Sequence, residues 1–264
     1  MIQVEVAGVS KVHLTIKGEA LLALHDVNLQ VMNNEFFSIV GPSGCGKTTL
    51  LNLLAGFEKP TRGELRVGGK LIGKPGWERA VVFQEYALFP WYTVEQNLRY
   101  GLRRKKIPDA EQKRLVEHYI ALVGLRGFES RYPRELSGGM RQRVSIARAL
   151  AVNPSILLMD EPFASLDIQT REYMQDELLK IWQREPKTVI FVTHSIDEAI
   201  RLSDRIAIMA PRPGRIEEVK LVDAKRPRDP TDPRMVQLAA EVKNWLRQRV
   251  SENEPAPVTE QAAS

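Results

Sequence analysis

The stretch Gly41-Pro42-Ser43-Gly44-Cys45-Gly46-Lys47-Thr48 constrains this chain more than any other, because it fits the pattern G-x-x-x-x-G-K-[ST] at every specified position. An apolar run, Phe36-Phe37-Ser38-Ile39-Val40, precedes it, and a helical pattern from Thr48 to Ala55 follows. Strand, glycine loop and helix in that order make a phosphate cradle, since glycines let the backbone approach and successive N–H groups point at an anion. In such a cradle Lys47 reaches the β and γ phosphates, the Thr48 hydroxyl sits on Mg²⁺, and Thr49 follows on the same first turn. A glycine-rich turn that binds nothing is the plain alternative, and the flanking strand and helix argue against it.

A second apolar run, Ile156-Leu157-Leu158-Met159, ends in Asp160-Glu161. It is continuous rather than alternating, which reads as a fully buried parallel strand. A carboxylate at its end lies at the carboxyl edge of the sheet, where open α/β sheets bind ligands. Asp160 is the expected holder of the Mg²⁺ shell, through water. Glu161 can turn to a γ-phosphate and orient or deprotonate the attacking water. Taken alone, an Asp-Glu pair here reads as helix N-terminal charge or a solvated turn; the upstream loop reverses that preference.

Leu136-Ser137-Gly138-Gly139-Met140-Arg141-Gln142 lies between these two stretches. Ser137 offers a hydroxyl, Gly138 and Gly139 offer close backbone N–H groups, and a helical pattern begins at once. By itself such a triplet is a helix-capping turn.

With these stretches in their observed order, the chain resembles the nucleotide-binding subunit of ATP-binding cassette (ABC) transporters from about Val4 to about Leu221. The resemblance implies an α/β fold: a P-loop NTPase core with a mixed sheet, an antiparallel β subdomain and an inserted helical subdomain. It implies an ATPase using ATP and Mg²⁺, in which Ser137, Gly138 and Gly139 form the signature that meets the γ-phosphate held by an opposing subunit. Gln84, expected to end a strand from Arg79 to Phe83, resembles the Q-loop glutamine that touches Mg²⁺ and water. Ser165-Leu166-Asp167 resembles the D-loop, which crosses the dimer interface. His194, after an expected strand Thr188 to Thr193, resembles the switch histidine on the γ-phosphate. His13 stands where the family usually has an aromatic residue that stacks on adenine, and an imidazole stacks with less area.

Composition agrees with the assignment. No run approaches the eighteen or so apolar residues that span a bilayer, and no signal-peptide core is evident at the N-terminus. The expectation is a peripheral protein on the cytoplasmic face of the inner or cell membrane. The formal charge of +5 arises from 38 basic against 33 acidic residues, a balance that gives no reason to invoke nucleic acid. Cys45, the only cysteine, suits a reducing compartment. Its place beside a helix N-terminus suggests a thiolate, with an inert filler as the alternative.

The expected organisation is an ABC ATPase domain over residues 1–221, with residues 85–141 as the helical subdomain. A C-terminal helical extension over residues 222–250, including an amphipathic helix Met235 to Val250, and a disordered tail over 251–264 follow. Gly68-Gly69 reads as a hairpin turn between Glu64-Val67 and Lys70-Ile72. The aromatic segment Tyr86-Ala87-Leu88-Phe89-Pro90-Trp91-Tyr92 is expected to serve both as core and as the groove for a membrane subunit.

The favoured function is the energy-coupling subunit of an importer. It is expected to work as a homodimer or pair of ATPase subunits, with two integral-membrane permease subunits and a periplasmic or extracellular solute-binding protein, and without nucleic acid. An ABC-type ATPase of the DNA-repair or translation class is the alternative; the former carry a long coiled coil before the signature and the latter usually two cassettes. Pro75 to Gln84 and Leu88-Phe89-Pro90-Trp91 resemble the ATPases of nitrate, sulfonate and taurine importers, which suggests a small anionic solute.

Overall fold

The computed structural model describes residues 1–14 and 18–252, with side chains as far as residue 248. Its strands are β1 (Ile2–Leu14), β2 (Ala20–Met32), β3 (Phe36–Val40), β4 (Arg62–Val67), β5 (Lys70–Leu71), β6 (Arg79–Val82), β7 (Ile156–Asp160), β8 (Thr188–Thr193), β9 (Arg205–Ala210) and β10 (Arg215–Leu221). Its helices are α1 (Lys47–Ala55), α2 (Val94–Arg104), α3 (Asp109–Leu122), α4 (Gly138–Ala151), α5 (Ile168–Arg184), α6 (Ile196–Leu202) and α7 (Pro233–Glu252). A 3-10 turn, Pro133–Glu135, leads into α4.

Two sheets carry the site. The larger has the strand order β10-β9-β3-β8-β7-β6, parallel except for the β9–β10 hairpin. The smaller, β2-β1-β4-β5, is antiparallel. Both belong to the α/β P-loop NTPase arrangement that the motifs imply. Continuous burial along β3 and β8 explains why the parallel strands read as unbroken apolar runs: helices or the second sheet cover both faces. In β2, by contrast, Val27, Leu29 and Val31 face inward while their neighbours are exposed, as alternation requires.

Three apolar clusters meet at β3. Phe36 packs with the α2–α4 region and α5, Phe37 and Ile39 with α1 and the antiparallel sheet, and Val40 with α6 and α7.

Several boundaries differ from expectation. Strand β6 stops at Val82, so Gln84 lies in a turn two residues beyond the strand rather than at its end. Helix α7 begins at Pro233, whose missing N–H costs nothing in a first turn, and continues to Glu252. Residues 251 and 252 are thus helical, and the rest of the expected tail lies outside the described residues. Lys47 opens α1 one residue early, Asp109 to Leu122 forms α3, and Gly68 and Gly69, both at positive φ, turn β4 into β5.

Candidate active site

The phosphate loop follows β3 and delivers its last residues to α1. Gly46 caps α1 with φ 100, a left-handed conformation suited to glycine, and makes no side-chain hydrogen bond to the helix. No acidic residue occupies the first turn of α1. Helices α2, α4, α5 and α6 are instead capped by Thr93, Ser137, Asp167 and Ser195. The first N–H groups of α1 are left for an external acceptor, the electrostatic situation in which an anion is favoured.

Lys47 is buried, and its Nζ donates to the carbonyls of Gly41 at 2.8 Å and Pro42 at 3.0 Å. The ammonium is thereby held inside the curl of the loop. A Cβ at Gly46 would meet Leu24 at 2.6 Å, and one at Gly41 would meet the Met209 carbonyl at 2.6 Å, so both glycines are required for close backbone approach. Ser43, Gly44, Gly46, Lys47, Thr48 and Thr49 line a cleft of about 660 Å³. Glu161, His13 and Arg212 complete its walls with Leu21, Leu22 and Ala23.

Cys45 does not join them. Its side chain is fully buried among Leu50, Phe37 and Met209 in the core beneath the loop. Burial pushes the thiol above its ordinary range, and the nearby Lys47 offsets this only in part. The expected thiolate is therefore corrected to a protonated, apolar filler: the side chain points inward although the backbone lies at a helix N-terminus.

Asp160 ends β7, and the Thr48 hydroxyl donates to its Oδ1 at 3.4 Å. Burial raises the Asp160 pKa, and the adjacent Glu161 carboxylate adds to that rise, against the Thr48 hydrogen bond and Lys47. A hydroxyl and a carboxylate converging on one point are hard oxygen donors, the type that suits Mg²⁺ with a phosphate completing the shell. Among the described residues no group of three or more His, Cys, Asp or Glu forms a metal cage, so a cation here would depend on that phosphate.

Glu161 adopts φ 43, left-handed for a non-glycine residue, and its N–H donates to the Val192 carbonyl at 2.9 Å. Such a backbone costs about 1–3 kcal/mol and persists only where the surroundings hold it. It turns the side chain to His194, whose Nδ1 lies 2.9 Å from Glu161 Oε2. His194 in turn follows β8 on a loop fixed by buried polar groups: Thr193 Oγ1 donates to Glu198 Oε2 at 2.6 Å, and Gln175 donates to Glu198 Oε1 at 3.2 Å. The Ser195 N–H also donates to Thr193 Oγ1 at 3.0 Å.

The remaining motif residues form a separate group. Ser137 Oγ accepts the Met140 N–H at 3.3 Å and Asp167 Oδ1 accepts that of Thr170 at 3.0 Å, so each caps its own helix. The Thr170 N–H holds the Asp167 carboxyl below its ordinary range. A Cβ on Gly138 would lie 3.2 Å from both Leu166 and the Tyr86 hydroxyl, which itself is 2.9 Å from Ser165 Oγ. None of Ser137, Gly138, Gly139 or Asp167 lines the phosphate-loop cleft of its own chain. Gln84 is exposed on the turn after β6, beside the β7 edge that carries Asp160, and it too stands outside the cleft lining. His13 is at the cleft, paired across the sheet with Leu21 and 3.7 Å from Glu58.

Residues 24–164 match the family model described as ABC transporter. An uncharacterized ABC transporter ATP-binding protein of Methanocaldococcus jannaschii is 50% identical, the match covering 94% of this chain and 93% of that protein. The chain belongs to the ABC transporter ATP-binding family. Among its relatives, a taurine import ATP-binding protein of Pelagibacter ubique is 50% identical over 77% of each chain. A nitrate import ATP-binding protein of Synechocystis is 40% identical over 96% of this chain and 98% of its own length. A solved dimeric ATP-binding cassette in a post-hydrolysis state, bound to ADP and Pi, superposes with TM-score 0.72 and 33% identity, covering 84% of this chain and all of that one. This ABC subunit is accordingly an ATPase with the ATP-binding cassette fold. Among the described residues no helix is long and apolar enough to cross a membrane.

Two features escaped the sequence reading. Arg212 reaches the cleft from the β9–β10 connection, and the only hint was an Arg-Pro-Gly turn between two strands. The buried Glu198 network left no local signature, because Thr193, Gln175 and Glu198 come from three different elements.

Proposed function

We propose that this subunit energises uptake of a small anionic solute such as nitrate, a sulfonate or taurine. It works as one of a pair of ATPase subunits beneath two permease subunits on the cytoplasmic face, supplied by an external solute-binding protein. The observation that carries the enzymatic part is the meeting of an uncapped α1 N-terminus, Lys47, Thr48 and Glu161 around one cleft, with Asp160 bonded to Thr48 and His194 to Glu161. The solute class rests on the taurine and nitrate relatives.

In this reading the phosphate loop from Gly41 to Thr49 holds the triphosphate, and Lys47 leaves the Gly41 and Pro42 carbonyls to pair with it. Thr48, Asp160 and Gln84 would hold Mg²⁺, which would neutralise phosphate charge there. Glu161 takes the proton of the attacking water, and His194 fixes the carboxylate through the 2.9 Å hydrogen bond. The outlying position of Ser137, Gly138, Gly139 and Asp167 supports a head-to-tail dimer. One copy's signature helix then closes the other copy's cleft, an isologous arrangement because both halves lie on one chain.

Deleting the gene and offering cells labelled nitrate, taurine and alkanesulfonates tests the proposal. Loss of uptake of one of these, restored by the wild-type chain and not by Lys47→Ala, is expected. Unchanged uptake of all three would overturn the solute class.

A further inference from the structure

The β9–β10 connection is pinned against both the antiparallel sheet and the phosphate loop. The Gly214 N–H donates to the Ala23 carbonyl at 2.9 Å, and the His25 N–H donates to the Gly214 carbonyl at 2.9 Å. A Cβ on Gly214 would fall 2.1 Å from the Cys45 carbonyl, so this glycine lets the turn lie directly on the phosphate loop. Two residues earlier Arg212 is exposed, with φ 54, a left-handed backbone unusual for an arginine. Among the described residues its guanidinium has no protein hydrogen-bond or ion-pair partner, and it lines the cleft.

Glu161 and Lys47 mark the end of the cleft where the γ-phosphate is handled. Strand β2 leads from there along the cleft wall: the Ala23 carbonyl lies against Gly46 of the phosphate loop, and Leu21, two residues earlier, pairs with His13. Arg212 arrives on the Ala23 side, since its turn is bonded to Ala23 and bridged to Leu24. A planar, weakly hydrated cation that lines the same cleft as the His13 imidazole is suited to stacking on a purine.

We propose that Arg212 binds the nucleoside half of the nucleotide, offering its guanidinium plane to the base and supplying contact area that His13 alone does not. An unusual backbone on a turn that Gly214 fixes by two hydrogen bonds is where a functional constraint is expected. The inference rests on the ATP-binding reading of the cleft and adds a recognition residue to it.

Calorimetric titration of ADP and of inorganic pyrophosphate, neither of which is turned over, separates base contact from phosphate contact. Arg212→Gly removes the side chain while suiting φ 54, so the fold is kept. It should weaken ADP binding about fivefold or more and leave pyrophosphate within about twofold. Arg212→Lys, which keeps the charge and loses the plane, should recover less than half of the loss. ADP affinity within about twofold of wild type, equal losses for both ligands, or full recovery with lysine would each overturn the proposal. Wild-type protein titrated in parallel distinguishes the two readings: if it takes up no ADP, the nucleotide assignment itself fails.

Discussion

His194 Nδ1 and Glu161 Oε2 stand 2.9 Å apart, although they are separated by 33 residues and belong to the ends of two neighbouring strands. Strands β7 and β8 pair in parallel with Asp160 opposite Val192, which brings the residues just past both strand ends together. His194→Ala should therefore lower kcat by about 10²-fold or more while ATP affinity changes little, since in the proposed mechanism the histidine positions the carboxylate that takes the water's proton. Parallel measurement of ATP binding and steady-state hydrolysis checks this; a rise in KM with kcat unchanged would point to ground-state binding instead.

Cys45 should behave as a core residue. Maleimide at pH 8 is expected to leave the folded protein unlabelled and to label it fully in guanidinium. Because the native thiol pKa is raised, the native state holds the proton more tightly than the unfolded chain. Its contribution to stability is complete below the unfolded thiol pKa of about 8.5 and is lost as pH rises toward the native value. Cys45→Ala should accordingly show a smaller fall in Tm between neutral and alkaline buffer than wild type, and a parallel pair of melting curves reads this.

Arg228 clasps the C-terminal extension to the core. It is buried, and donates to the carbonyls of Ile200 at 2.8 Å, Arg201 at 3.2 Å, Val222 at 3.2 Å and Ala224 at 3.1 Å. Burial, with Arg226 nearby, pulls its pKa down to about 10, so it remains charged at neutral pH. Arg228→Ala strands several carbonyls and should cost about 2 kcal/mol. That is a fall in Tm of about 4–8 °C for a chain of this size, measurable by calorimetry.

The phosphate loop was legible in the sequence because all its functional atoms lie within eight consecutive residues between a strand and a helix. Asp160 and Glu161 were legible for the same reason, as the end of one apolar run. The inward turn of Cys45 was not, because spacing gives the position of a backbone and not the direction of a side chain. The Glu161–His194 contact and the arrival of Arg212 depend on strand order, and strand order is a long-range property that local pattern does not carry.

The aromatic segment divides into two parts. Phe89 is half-buried, 4.5 Å from Tyr100 between ring centroids and covered by Arg148, whereas Trp91 is 67% exposed. Trp91→Ser should leave the melt and the basal ATPase rate unchanged and still abolish most uptake, since an aromatic anchor at an interface is worth about 2 kcal/mol or more. Phe89→Ser should lower Tm as well. Normal uptake by Trp91→Ser cells would remove this face as the site of permease docking.

Hydrolysis by Glu161→Gln tests the account most directly. The amide keeps the shape of the side chain and a hydrogen bond to His194 but cannot take a proton, so the purified variant should bind ATP as wild type does and hydrolyse it at least about 10²-fold more slowly. A variant that retained more than about a tenth of the wild-type rate would contradict Glu161 as the base and with it the chemistry assigned to the cleft.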